Sequence, residues 1–558
     1  MPQRILTVSG LVVAAVALIL GVPLFLRMPP WCDLTLYDEA ARNLLRGGVH
    51  YRDVFDTNLP GFVWALAAVE SLVGDSFEAI LLVDLLIVAG ITALLDRLAT
   101  WGGAPPGARA WLVAGVCLFY PYTSEFNHAQ RDVWMLLPAL GATAWRARGS
   151  EFTPRASFGQ GVLWGLAIWV KPHVIFVAAA VWLASSPALF RKAGRAAARD
   201  GLAVLAGGLL VGAIGVAALV LTGTWPGFVE VFTTWNVGYA EVIRVEFDGR
   251  LRSEFLYFPP WTYLQVVTVP LALYDLVAGM VEAGRRGVKS PGFARTLIAA
   301  LYLAWVAQAL FFQRAFHYVH VPEILMLFAV GAAHRLVLPA VVAVLLVVTA
   351  VLILDSRVPA QNPMPAYVQA TDTHPIFVLH PIFDKDRLAQ WPNCFRTGLT
   401  DEEYYTRRNA LAMVTDFYPA NDWVQLDELA KELKRRGVRD GQVIAWDDGP
   451  HAVYRLAGIT PGFRFMHVHA MSRVSPEAER RILAEKDAAT HARYAVGDLK
   501  RLGHLDPTEI GDRSAHGRDL LPPSLSDKVR ESFPYTERPV FRTRDNTGRY
   551  VLFELNEK

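Results

Sequence analysis

Asp33, Asp38, Glu39, Asp53 and Asp56 are interleaved with Arg42, Arg46 and Arg52 in the run from Trp31 to Gly61. This run directly follows the first long apolar segment, Ile5 to Leu26, and so lies at a membrane surface. A paired carboxylate in that position, with arginines nearby, suits an enzyme that deprotonates a hydroxyl beside an anionic lipid phosphate. Asp38 is the candidate general base. Glu39 would orient it or, together with Asp38, hold a divalent cation. Arg52 and Asp53 are candidates for contact with the donor. A plainer use of the same residues is open: Asp38 would N-cap a helix Glu39–Arg46, ended by Gly47 as a left-handed residue. The two roles are compatible.

Further candidates follow along the chain. In the stretch Tyr120 to Asp132, Arg131 would face a phosphate, and Asp132 would bind substrate hydroxyls or cap the next helix. Lys171 interrupts an apolar run at Lys171-Pro172-His173. An ammonium there is costly unless paired or hydrated, so it reads as a phosphate ligand, or else as a side chain snorkelling to the interface. Arg314 suits bidentate phosphate binding, and His317 and His320 would contact phosphate or substrate hydroxyls. The two histidines lack a third close ligand for a metal. His467-Val468-His469, read as strand, puts two rings on one face, again without a third ligand; Asp447-Asp448-Gly449-Pro450 reads as a turn.

These residues must be held by membrane helices. Of the 558 residues 53% are apolar, and the net charge of +2 implies no polyanion-binding surface and no nucleic-acid partner. The three cysteines, Cys32, Cys117 and Cys394, form no close pair; a Cys32–Cys394 bridge is conceivable, but unpaired thiols fit better. The first apolar segment lacks a small-residue cleavage site and reads as a retained anchor. Gly61–Val73 reads as an amphipathic helix lying on the bilayer. Spans are expected at Phe77–Leu98, Ala108–Tyr120, Val133–Trp145, two short helices meeting at Lys171, Gly201–Leu221, Trp261–Val281, Thr296–Phe312, Val319–Ala333 and Leu336–Leu354, about eleven with the first.

Arginine and lysine concentrate in alternate loops: Arg97 and Arg109; Arg146, Arg148 and Arg155; Arg191, Lys192, Arg195 and Arg199; Arg285, Arg286 and Lys289. That set is expected in the cytoplasm with the N-terminus, which places Asp38 outside. The tail beyond residue 355 then lies outside too. It reads as a small α/β domain, 356–558, with a helix after Asp422, a strand at Val443–Trp446, a helix at Pro476–Lys486, and strands at Tyr494–Val496 and Tyr550–Glu554.

The order apolar helix, Asp38-Glu39, short helix, Gly47-Gly48, Tyr51-Arg52-Asp53, Pro60-Gly61 resembles the first outer loop of GT-C glycosyltransferases, among them protein O-mannosyltransferases and lipid A aminoarabinose transferases. Gln130-Arg131-Asp132 resembles a Gln-x-Asp of bacterial members, Lys171-Pro172 a Lys-Pro of the family, and the stretch Asp447 to Gly458 the tail domain that covers the outer face of the cavity. The chain departs from the aminoarabinose branch, whose loop ends in Lys-Pro-Pro, where Asn58-Leu59-Pro60 stands here.

The resemblance implies a mainly α polytopic GT-C membrane domain, residues 1–355 with its first outer loop at 28–76, followed by the α/β domain. It implies inverting transfer of a sugar from a polyprenyl-phosphate donor to a lipid, polysaccharide or protein hydroxyl at the outer face of a bacterial-type inner membrane, with a divalent cation as an optional cofactor. The rival is a transporter or lipid flippase with Lys171 and Asp132 as coupling charges; the inverted repeats that would favour it are not visible. A non-catalytic binding subunit is the third reading, and dispensability of Asp38 would favour it.

Overall fold

The structure, a computed structural model, describes residues 3–148, 152–190, 194–236, 238, 258, 261–313, 316–336, 385–413, 420–472, 474–502, 520–521 and 532–555. The chain is a multi-pass membrane protein. Five described helices have the length and composition to cross a bilayer: α1 (Gln3–Arg27), α4 (Phe77–Trp101), α10 (Gly194–Leu221), Trp261–Arg286 and Pro291–Phe311. This falls short of the expected eleven. Several expected spans form as shorter helices: α5 (Pro106–Phe119), α7 (Leu136–Ala147), α8 (Pro154–Val170) and α9 (Val174–Phe190). The last expected span after its first residue Leu336, the domain boundary at 355 and the candidate Arg314 lie outside the described residues.

Local chemistry sets the helix ends. Ser76 and Thr153 accept from the backbone of Ala79 and Ala156 and so cap α4 and α8. The helix α8 stops where a residue preceding proline is driven out of the helical region: Lys171 is extended, with φ −148 and ψ 111. The helix α9 then runs back, so Lys171 sits at a hairpin apex. At the other end of this hairpin, Arg146 of α7 bonds Asp200, Ser185 and Gln160, and Asp200 also accepts from Ser157 and Trp182. One buried, fully paired charge thus ties α7, α8, α9 and α10 together.

The first loop carries α2 (Cys32–Leu45) and α3 (Gly61–Leu72). A helix forms as expected at this stretch, as α3. The start of α2 is a correction: it begins at Cys32, capped by extended Trp31 after Pro29-Pro30, so Asp38 lies inside the helix and caps nothing. Its end is as expected. Gly47 has φ +86, and the Gly48 N–H donates to the Asn43 carbonyl.

The tail holds a four-stranded sheet in the order β1-β2-β4-β3, with β1 (Val443–Ala445), β2 (Tyr494–Asp498), β3 (Arg538–Arg542) and β4 (Tyr550–Glu554). β1 and β2 are parallel and the other pairings antiparallel. Helix Trp423–Arg435 buries Trp423, Leu426, Leu429, Ala430 and Leu433, capped by Asp422, as its periodicity predicts. β3 is an addition to the expected strands. The His467–His469 stretch is a second correction: Val468 begins a short helix, not a strand.

Candidate active site

A helix turns 100° per residue, so side chains four apart share a face and those five apart diverge by about 140°. On α2 this separates Asp33 and Tyr37 from Asp38. The two faces meet different parts of the protein.

The Asp33–Tyr37 face meets the loops at the same end of the helix bundle. The guanidinium of Arg131, in the short helix α6 (Arg131–Trp134), lies 5.4 Å from the centre of the Tyr37 ring. Arg131 is only 8% exposed, yet forms no ion pair among the described residues, and its Nε has no hydrogen-bond partner. Next to it, Asp132, fully buried, pairs with Lys171, which is 5% exposed. This overturns two plain readings: Gln130, not Asp132, is the helix N-cap, and Lys171 does not snorkel. The Lys171 ammonium also lies 5.8 Å from the Tyr318 ring centre. Asn58 closes the other side, donating to Asp56 Oδ1 at 2.6 Å and to the Tyr37 hydroxyl at 3.1 Å.

Asp33 sits at the mouth of this cluster with His467 of the tail, whose Nε2 is 3.8 Å from Asp33 Oδ1. Burial pushes the Asp33 carboxyl up, against the pull of His467 and Arg131. A carboxylate made more basic, beside an arginine outside any ion pair among the described residues, has the character of a general base next to an anion site.

The other face of α2 meets the tail. Asp38, 1% exposed, pairs with Arg455, which also reaches the Asp75 carbonyl. Glu39 is held by Arg42 at 3.4 Å. Burial pushes both carboxyls up, Glu39 to about 8. Each carboxylate therefore faces a guanidinium, and among the described residues no group of three His, Cys, Asp or Glu is placed to hold a metal. Asp38 Oδ2 and Glu39 Oε1 are buried without a hydrogen-bond partner.

The structure does not bring Arg52 and Asp53 into the cluster: they pair with each other at 2.6 Å, with Arg52 largely exposed. His317 packs against Phe126, ring centres 5.4 Å apart, and its neighbour Tyr318 reaches Lys171. Cys32, Cys117 and Cys394 are free thiols. Asp33, Asn58 and His467 stand out in the sequence without a catalytic role, and Tyr37, Tyr318 and Arg455 carry no site role there. Pro29-Pro30, which fixes where α2 starts, and the four-residue spacing of Asp33 and Tyr37 were the available signals.

No family model matches the chain, and no curated protein matches it. Among solved structures it is similar to ArnT from Cupriavidus metallidurans bound to undecaprenyl phosphate, at 15% identity and TM-score 0.47, covering 97% of each chain. It is also similar to the oligosaccharyltransferase of Archaeoglobus fulgidus in the apo form, at 13% identity and TM-score 0.44, covering 89% of this chain and 70% of that one. The archaeal oligosaccharyltransferase AglB from the same organism, in complex with an inhibitory peptide and a dolichol-phosphate, matches at 13% identity and TM-score 0.43, over 88% of this chain and 69% of that one.

Proposed function

We propose that the chain is an inverting membrane glycosyltransferase of the GT-C class. It takes a sugar from a polyprenyl-phosphate donor at the outer face of the membrane and passes it to a lipid, polysaccharide or protein hydroxyl. The observation that carries this reading is Arg131: a buried guanidinium outside any ion pair among the described residues, beside the Lys171–Asp132 pair and a basic Asp33. With its Nε free of a hydrogen-bond partner it can still receive an anion.

In this reading Asp33 takes the base role in place of Asp38. The acceptor oxygen loses its proton to Asp33 and attacks the anomeric carbon. The bond from that carbon to the phosphate oxygen breaks, and the phosphate leaves with the electron pair. Arg131 and Lys171 stabilise its growing charge, each charge-assisted hydrogen bond contributing about 1.5–3 kcal/mol. Asp132 holds Lys171 in place, and one of its oxygens remains without a hydrogen-bond partner to meet a sugar hydroxyl. Arg314 and His317 are proposed to complete the donor contacts. Asp38 holds the tail.

The test is transfer from radiolabelled polyprenyl-phosphate sugars in membranes carrying wild type, Asp33→Asn or Asp38→Asn at equal protein level. Transfer that collapses in Asp33→Asn and persists, reduced, in Asp38→Asn is the expected result. Collapse in Asp38→Asn with full transfer by Asp33→Asn would return the base to Asp38.

A further inference from the structure

The tail supplies a side chain to the site proposed above, and the inference rests on that reading. The stretch from His451 to His467 is stitched to the first loop at several points. His451 Nε2 donates to the Cys32 carbonyl at 3.0 Å and lies 2.8 Å from Thr35 Oγ1. The Phe55 N–H donates to the Arg464 carbonyl at 2.8 Å, and the Phe55 and Phe465 rings are 4.6 Å apart. Arg464 reaches the Tyr51 carbonyl at 3.2 Å. These contacts pin both ends of the stretch, and His467 comes down on Asp33 between them and α6.

His467 is suited to act through Asp33. It is half-buried, so it touches both the carboxylate and the solvent, whereas its neighbour His451 is fully buried and held neutral, burial lowering it to about 3. The rings of His451 and His467 are 5.6 Å apart, edge to face, which fixes the plane of the His467 ring. The charged and titratable groups facing Asp33 are Arg131 and Asp132 from α6, Cys32 and Tyr37 from its own helix, and His467. Asp56 feels both Arg131 and His467. Arg131 is committed to the leaving phosphate, which leaves His467 to serve Asp33 during proton uptake.

We propose that His467 is a positioning and proton-exit residue for Asp33, so that the tail domain completes the catalytic site. When the acceptor's proton reaches Asp33, the 3.8 Å gap to His467 Nε2 closes to hydrogen-bond length, and the proton passes to the imidazole and on to water. This restores the carboxylate for the next turnover.

The experiment is the pH profile of transfer by wild type, His467→Gln and His467→Ala in membranes, with Asp33→Asn as control. Removing the imidazole leaves the proton on Asp33 without its exit, so transfer is expected to fall about tenfold on the plateau of the profile. Added imidazole restores transfer by His467→Ala there, which a merely structural role would not allow. If wild type transfers, Asp33→Asn does not, and the His467→Gln profile matches wild type, the inference fails while the proposed function stands. If wild type transfers from no polyprenyl-phosphate sugar, both are overturned.

Discussion

Asp38 and Arg455, 417 positions apart, form a buried ion pair that joins the first loop to the tail domain. Removing one partner of such a pair leaves the other charge buried and alone, which destabilises by about 3–5 kcal/mol. Arg455→Ala is therefore expected to loosen the tail, seen as faster proteolysis within residues 420–472 and a lower Tm in detergent. The Asp38→Asn, Arg455→Leu double variant recovers much of that loss, because no unpaired charge remains. Equal loss in the single and double variants would show that shape, not charge, holds the seam.

Arg131 gives a prediction of the opposite kind. Because Arg131 forms no ion pair among the described residues and acts on Asp33 and Asp56 only at a distance, Arg131→Gln is expected to lower Tm less than Arg455→Ala does. Its effect falls on the donor: losing one charge-assisted bond of about 1.5–3 kcal/mol weakens phosphate binding roughly ten- to a hundredfold. The measurement is the KM for the polyprenyl-phosphate sugar. A normal KM would remove Arg131 from the donor site.

The main lines of the fold were legible where short-range chemistry decides. The proline at 172 breaks the α8–α9 run at Lys171, and Asp422 caps the amphipathic helix after it, both as the sequence indicates. The start of α2 was misplaced because Asp38 looks like a cap, although Pro29-Pro30 and Trp31 already end the preceding helix and begin the next. β3 escaped notice because Arg538 and Pro539 read as loop, a composition that an edge strand tolerates. The site was half legible. Asp132 and Lys171 stood out as charges in apolar surroundings, but that they pair is a tertiary fact. No local pattern could place His467 against Asp33, since the contact depends on the docking of a whole domain.

Gly61 offers a structural test of the phosphate site. A Cβ added there would lie 2.4 Å from the Trp169 carbonyl oxygen and 2.9 Å from the Val170 nitrogen, both backbone atoms of the last turn before Lys171. Backbone cannot step aside as a flexible side chain would, so Gly61→Ala is expected to push α3 and α8 apart and displace Lys171. Transfer should fall with the protein still inserted and present at normal level. Unchanged transfer would mean that Lys171 tolerates the shift and has no exacting role.

Glu39 sets a pH dependence of stability. Burial outweighs the attraction of Arg42 and raises its carboxyl from 4.5 to about 8. Between those values the folded chain keeps the proton that the unfolded chain has lost, so this group's contribution is full below 4.5 and declines as pH rises toward about 8. Glu39→Gln should flatten the fall of Tm over that interval and be more stable than wild type at its alkaline end. A Tm profile that keeps its slope in Glu39→Gln would assign the dependence to other groups.

The seam between Asp38 and Arg455 also has a meaning in time. At about 5–20 residues per second, synthesis needs roughly 20 to 80 s to cover the 417 positions between them. Throughout that interval the first loop exists without its roof, its carboxylates open to water and to one another. A half-made chain already inserted in the bilayer has Asp33 but neither Arg455 nor His467. The order of the sequence thus acts as a delay: a late-made part of the chain is the part that closes the first loop.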